Sequence, residues 1–271
     1  MDYQELIEPV INISKKAGEA ILKIYNSSDF GERIKEDKSP LTEADLASHQ
    51  IICSELEKLT PEIPVLSEES KNITFEQRQS WQTYWLVDPL DGTKEFIARN
   101  GEFTTNIALI VDGRPILGVI FVPVKNTFYY GARHYGAHRI IAGQPVEKIQ
   151  VRSVPLEQGE KHYTVVASRR HGLDKVEALC QKMSNVDLTS KGSSLKMCMV
   201  AEGEADFYPR LAPTSEWDTA AAQIIVEEAG GQIVKTDFSP LEYNTKEELL
   251  NPHFLVLGDS NENWQQLLKS S

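Results

Sequence analysis

Two apolar runs, Phe103 to Val111 and Ile116 to Val122, flank Asp112-Gly113, and this arrangement limits the fold more tightly than any other stretch of the chain. An Asp-Gly pair tolerates the positive φ angles of a tight reversal, so the two runs are expected to pair as an antiparallel hairpin. Thr127 to Tyr130 and His138 to Ile141 extend it into a meander. The first half therefore reads as α+β, an antiparallel sheet with helices. Leu6, Val10, Ile13, Ala17, Ile21 and Ile24 recur at spacings of 4, 3, 4, 4 and 3, which puts them on one face of an opening helix. A second helix is predicted to begin near Thr42, after Ser39-Pro40, and to turn Leu46, Cys53, Leu56 and Leu59 inward.

Beyond Gln144-Pro145 the pattern alternates. Strands are expected at Tyr163 to Ala167, Val186 to Leu188, Ala205 to Tyr208 and Gln232 to Val234. Helices are expected between them, at Leu173 to Met183, Ser193 to Glu202 and Thr219 to Ala229. Alternation of this kind predicts an α/β second half. The expected organisation is an α+β domain over residues 1–145 and an α/β domain over 146–271, with a site between them.

Composition narrows what that site handles. Across 271 residues, 28 Lys and Arg stand against 40 Asp and Glu, a formal charge of −12. Affinity for polymeric nucleic acid needs clustered cations that displace counterions, so that partner class is disfavoured. Cys53, Cys180 and Cys198 are far apart with no CxxC spacing, which gives neither a disulfide framework nor a zinc site and suits a reducing compartment. The first residues carry Asp2, Glu5 and Glu8 instead of a basic region, and no apolar run reaches the roughly 18 residues of a membrane span. Cytoplasm is the simplest location, and peripheral contact with an inner membrane, which needs no anchor, stays open.

Val65-Leu66 and Tyr84 to Val87 read as strands that end abruptly in acids, at Ser67-Glu68-Glu69 and at Asp88. In Asp88-Pro89-Leu90-Asp91-Gly92-Thr93, Pro89 stiffens the turn so that two carboxylates can converge, and Gly92-Thr93 opens a helix whose free N–H groups suit a phosphate. Acids beside a phosphate repel it by about 4 kcal/mol per pair of charges at ~4 Å, so divalent cations are needed between them. Hard oxygen donors select Mg²⁺ over zinc. Each acid alone has a plainer reading: a turn for Asp88 and Asp91, solvated loops for Glu68 and Glu69, a helix N-cap for Asp218 and a capping box, Thr42-x-x-Asp45, for Asp45.

Taken together, DPxDGT at Asp88 to Thr93, WDxAA at Trp217 to Ala221, and the stretch Lys38-Ser39-Pro40-Leu41-Thr42-Glu43-Ala44-Asp45 resemble the lithium-sensitive, magnesium-dependent inositol monophosphatase superfamily. Lys94-Glu95-Phe96, Asn100 to Thr104, Gly192-Ser193-Ser194-Leu195-Lys196 and Tyr208-Pro209-Arg210 are similar to its bisphosphate-nucleotidase branch. The resemblance implies a layered αβαβα sandwich. It implies that Glu68, Asp88, the Leu90 carbonyl, Asp91 and Asp218 hold about two or three Mg²⁺ ions. Thr93, oriented by Asp45, would act with Glu68 on a metal-activated water for in-line attack, while the N–H groups of Gly92 and Thr93 hold the phosphate. Ser193, Lys196 and Arg210 would contact the nucleotide, with His171 near the base or second phosphate; a solvated loop position is the other reading of His171. Lys94 and Glu95 would shape the site without being ligands.

The implied reaction is hydrolysis of adenosine 3′,5′-bisphosphate to AMP and phosphate by a monomer, linked to sulfate assimilation. Two alternatives stand beside it: an inositol or sugar phosphatase with the same metal chemistry, and a non-catalytic protein that binds anionic metabolites through metal. The second would be betrayed by a missing ligand, yet Glu68, Asp88, Asp91, Thr93 and Asp218 are all present.

Overall fold

The computed structural model describes residues 3–27, 31–35, 40–70, 73–169, 172–183 and 185–269. Among these, seven strands form one sheet in chain order: Val65–Ser67, Thr83–Asp91, Thr104–Val111, Arg114–Val122, Thr127–Ala132, Gly136–Ile141 and Glu147–Ile149. The first two are parallel and the rest antiparallel, with the hairpin reversing at Asp112-Gly113 as the turn chemistry requires. The seventh strand lies past Gln144-Pro145, so the meander runs further than its apolar pattern suggested.

Strand alternation sorts side chains between two helical layers. Trp85, Val87, Ile107 and Leu109 pack with Val10, Ile13, Ala17, Ile52 and Leu56 from the helices Ile7–Tyr25 and Glu43–Leu59. Tyr84, Leu86, Ala108 and Ile110 point the other way, onto Leu195, Cys198, Ala221 and Ile225 from the helices Leu195–Ala201 and Glu216–Glu228. The backbones approach closely at Gly118, where a Cβ would lie 2.9 Å from Ala221 Cα. The second sheet covers the far side of that middle helical layer through Val166, Tyr208, Phe254 and Val256. Its outer face, with Val165, Phe207 and Leu255, packs on Val176 and Trp264 from the helices Leu173–Cys180 and Trp264–Lys269. The layers run α, β, α, β, α, as expected.

Four local expectations are corrected. Leu46 is 39% exposed, because the helix from Glu43 turns Ala44, Asp45, Ser48, Ile52 and Leu56 inward. That face is polar at its start, with Ser48 Oγ donating to the Pro89 carbonyl at 2.7 Å, so apolar spacing picked the wrong stripe. Strand Thr83–Asp91 does not stop at Val87: it continues through Asp88-Pro89-Leu90-Asp91, with an irregularity in pairing between Asp88 and Asp91. Proline has no N–H for the ladder, and an irregularity is where a sheet tolerates it. The second sheet is mixed. Strand Glu160–Ala167 is parallel to Asn185–Ser190 and to Phe207–Arg210, but Phe254–Leu257, which the sequence did not reveal, runs antiparallel to both Phe207–Arg210 and Gln232–Lys235. Asp218 is not an N-cap; Ser215 takes that role. No helix among the described residues is long and apolar enough to cross a membrane.

Candidate active site

The irregular end of strand Thr83–Asp91 brings Asp88 and Asp91 to the start of the Glu216–Glu228 helix, where Asp218 sits. One carboxylate oxygen from each of these three lies within 4.8 Å of the others. Each side chain is aimed by hydrogen bonds from the backbone. Asp88 accepts from the Leu90 N–H at 3.0 Å, Asp91 from the Ser194 N–H at 2.6 Å, and Asp218 from the Ser215 N–H at 2.9 Å.

Asp45 uses the same device as Asp218. It occupies the third position of its helix in a capping box, where one carboxylate oxygen accepts from the Thr42 N–H at 2.8 Å and from its hydroxyl at 2.6 Å. The other oxygen accepts from the Thr93 hydroxyl at 3.1 Å. A capping acid is held by its own helix start, so the plainer reading and the functional one are compatible: the cap fixes one oxygen and leaves the other for Thr93. The Leu90 carbonyl lies 3.5 Å from the same Thr93 hydroxyl. Gly92 has φ +93°, and a Cβ there would come within 3.2 Å of the Glu102 carbonyl and 3.3 Å of Ser193 Cβ. Backbone freedom and the approach of a second loop both require glycine.

Burial and mutual repulsion make these acids hard to ionise. Burial first, then Glu68, Asp91 and Asp218, raises the Asp88 carboxyl well above its ordinary range. Asp218 is pushed up to about 8 by burial and by Asp91. Glu68 rises to about 7 through burial, against the pull of Lys35, whose ammonium lies 2.8 Å from it and also pairs with Glu69. Asp91 is raised by burial and opposed by Lys196. A divalent cation at the meeting point would offset both costs, and an all-oxygen donor set suits Mg²⁺, Mn²⁺ or Ca²⁺. The residues present fit such an ion.

A cleft of about 400 Å³ runs from these acids, with Gly92 and Thr93 beside them, to a facing wall where Ser193, Lys196 and Arg210 take part in the lining. Ser193 has φ +44°, and its buried hydroxyl makes no hydrogen bond within the described residues. Lys196 is 7% exposed, its ammonium 2.6 Å from the Ser193 carbonyl and 3.3 Å from that of Lys191; burial lowers its pKa to about 8. Arg210 donates to the Pro213 carbonyl at 2.9 Å. His171 lies outside the described residues.

Sequence reading gave no role to Lys35, Asn106 or Glu102. Asn106 approaches the Asp91 carboxylate at 3.4 Å, and Glu102 accepts from the Gly192 N–H at 2.8 Å. Each is distant in sequence from its partner, and no local spacing marks such pairs.

Two strand-borne acids, Asp88 and Asp91, meeting Asp218 from a helix start between layered sheets, with Asp45 behind Thr93, define the site of a metal-dependent phosphatase of the αβαβα type. The chain belongs to the inositol monophosphatase family, whose model matches residues 2–269. It is 46% identical over 254 residues to the 3′(2′),5′-bisphosphate nucleotidase CysQ of Salmonella typhimurium, covering 93% of this chain and 99% of that one. Identity to CysQ of Aggregatibacter actinomycetemcomitans is 38% over 267 residues, 98% and 97% of the two chains. The crystal structure of CysQ from Bacteroides thetaiotaomicron superposes with a TM-score of 0.81 at 43% identity, covering 95% of this chain and 98% of that one.

Proposed function

We propose that this chain is a Mg²⁺-dependent 3′(2′),5′-bisphosphate nucleotidase that hydrolyses adenosine 3′,5′-bisphosphate to AMP and phosphate. The observation that carries the reading is the convergence of Asp88, Asp91 and Asp218 beside Thr93 and its Asp45 partner. Glu68, Asp88, Asp91, Asp218 and the Leu90 carbonyl would hold two or three Mg²⁺ ions. Bound there, the metal supplies positive charge that neutralises phosphoryl oxygens and acidifies water.

The Thr93 hydroxyl donates a hydrogen bond to Asp45, so its oxygen lone pairs are turned out to accept a hydrogen bond from an attacking water. Asp45 holds that hydroxyl, Glu68 is the carboxylate in the cleft that takes one proton from the water as its oxygen bonds to phosphorus, and the ribose oxygen takes a proton from solvent as its own bond to phosphorus breaks. Gly92 and Thr93 present N–H groups to the phosphate. On the opposite wall, the unpartnered Ser193 hydroxyl is available to the nucleotide, while Lys196 and Arg210 bring positive charge under it.

The same reading takes residues 1–145 as the metal- and phosphate-binding segment and 146–271 as the segment that adds nucleotide contacts and Asp218, in a cytoplasmic monomer. A cleft lined from both segments supports that division. Phosphate release is to be measured with and without chelator on adenosine 3′,5′-bisphosphate and inositol 1-phosphate. Chelator-sensitive turnover that favours the nucleotide is the expected result; faster release from inositol 1-phosphate would make the chain a sugar phosphatase instead.

A further inference from the structure

Hydrolysing one phosphate of a bisphosphate leaves the other as a dianion that must sit somewhere in an acidic protein. The two cations singled out from the sequence are partly engaged by the protein itself: Lys196 is buried with its ammonium on two backbone carbonyls, and Arg210 has one guanidinium nitrogen on the Pro213 carbonyl. Arg169 and Lys191 line the same cleft with 40% and 31% of their side chains exposed. Both converge on Glu102. The Arg169 guanidinium pairs with its Oε2, and the Lys191 ammonium stands 3.7 Å from its Oε1, beyond hydrogen-bond distance. Glu102 Oε2 also accepts from the Gly192 N–H at 2.8 Å, which ties this cluster to the loop that carries Ser193.

One acid from the first half thus faces two cations from separate segments of the second, and these three side chains together carry one net positive charge beside a cleft that Glu95 also lines. A guanidinium fork and a compact ammonium side by side match the geometry and charge of a phosphate group, which carries about −1.5 to −2 at neutral pH. We propose that Arg169 and Lys191 form the subsite for the phosphate that is not cleaved, and that Glu102 is the internal anion that keeps them together and competes with the ligand for them. This inference rests on the bisphosphate reading of the site.

The sign of the charge separates a subsite from a purely structural ion pair. If the cluster only ties loops together, removing any member impairs the enzyme in the same direction. If it receives a phosphate, removing a cation and removing the acid act oppositely. The experiment compares kcat/KM for adenosine 3′,5′-bisphosphate with that for adenosine 3′-monophosphate, which lacks the second phosphate, in the full-length protein with saturating Mg²⁺. Arg169→Gln and Lys191→Gln are each expected to lower the ratio of the two values about tenfold, and the double variant on the order of a hundredfold. Glu102→Gln keeps an oxygen for the Gly192 N–H and is expected to raise the ratio about threefold. Losses shared equally by the two substrates in the cation variants, or a fall of the ratio in Glu102→Gln, overturn the subsite while leaving the nucleotidase reading intact. A wild-type protein that prefers inositol 1-phosphate overturns both.

Discussion

On the metal side of the cleft, Asp88 and Asp91 are aimed by a sheet strand, and Asp45 and Asp218 by the first turns of two helices; on the facing wall, Ser193, Lys191 and Arg169 sit in loops. Geometry set by hydrogen-bonded elements varies little, so the first wall suits chemistry that tolerates small errors poorly. Loops can change length and side chains without disturbing the core, so the second wall suits the choice of substrate. The layered core also serves the first wall directly, since the Glu216–Glu228 helix that presents Asp218 packs on Gly118 with no room for a methyl group.

The sharpest way to break this contrast is Asp91→Asn, which removes a charge from the metal wall while keeping volume. Turnover is expected to fall on the order of a thousandfold, about 4 kcal/mol of transition-state stabilisation. Near-wild-type phosphate release in that variant would mean that the rigid wall is not the chemical one. Thr93→Val, which cannot orient a water, is expected to lower kcat by about 10- to 100-fold with little change in KM. A mainly KM effect would move Thr93 to the substrate-choosing wall.

Chelation tests the electrostatic half of the comparison. Glu68 at about 7 and Asp218 at about 8 hold their protons more tightly folded than unfolded, so folding favours the protonated forms. Stability of the metal-free protein is therefore lost as pH rises from the ordinary carboxylate range through about 8. With excess chelator, the Tm at pH 8 is expected to lie on the order of 5 °C below that at pH 5.5, and excess Mg²⁺ is expected to close the gap at pH 8. A gap that Mg²⁺ leaves unchanged would assign the pH response to groups elsewhere. The smallest expected effect is at Leu46: Leu46→Ser should change unfolding free energy by no more than about 0.5 kcal/mol, because that side chain faces water. A loss of several kcal/mol in denaturant unfolding would restore the apolar stripe read from the sequence.

That stripe shows where sequence reading stops. Spacing found the Glu43–Leu59 helix and its capping box, but the inward face begins with Asp45 and Ser48, and hydrophobicity cannot identify a face made polar by the site it borders. Asp88-Pro89-Leu90-Asp91 was legible as a point where acids converge, but its place inside a continuing strand depends on pairing with Asn106 and Thr104 across the sheet. Strand Phe254–Leu257 escaped notice because nothing local distinguishes a short buried strand that inserts between two others.

What the sequence determined by itself was local and chemical: the hairpin at Asp112-Gly113, the opening helix, the capping box of Thr42 and Asp45, and the set of hard oxygen donors that calls for a divalent cation. These depend on residues a few positions apart, and φ preferences, periodicity and ligand chemistry operate at that range. Tertiary structure alone decided which distant groups share the cleft. Lys35 faces Glu68, Glu102 gathers Arg169 and Lys191, and Lys196 is drawn beneath a loop onto backbone carbonyls. Such contacts are fixed by how layers and loops pack, and a charge carries no mark in sequence of the partner that packing will bring to it.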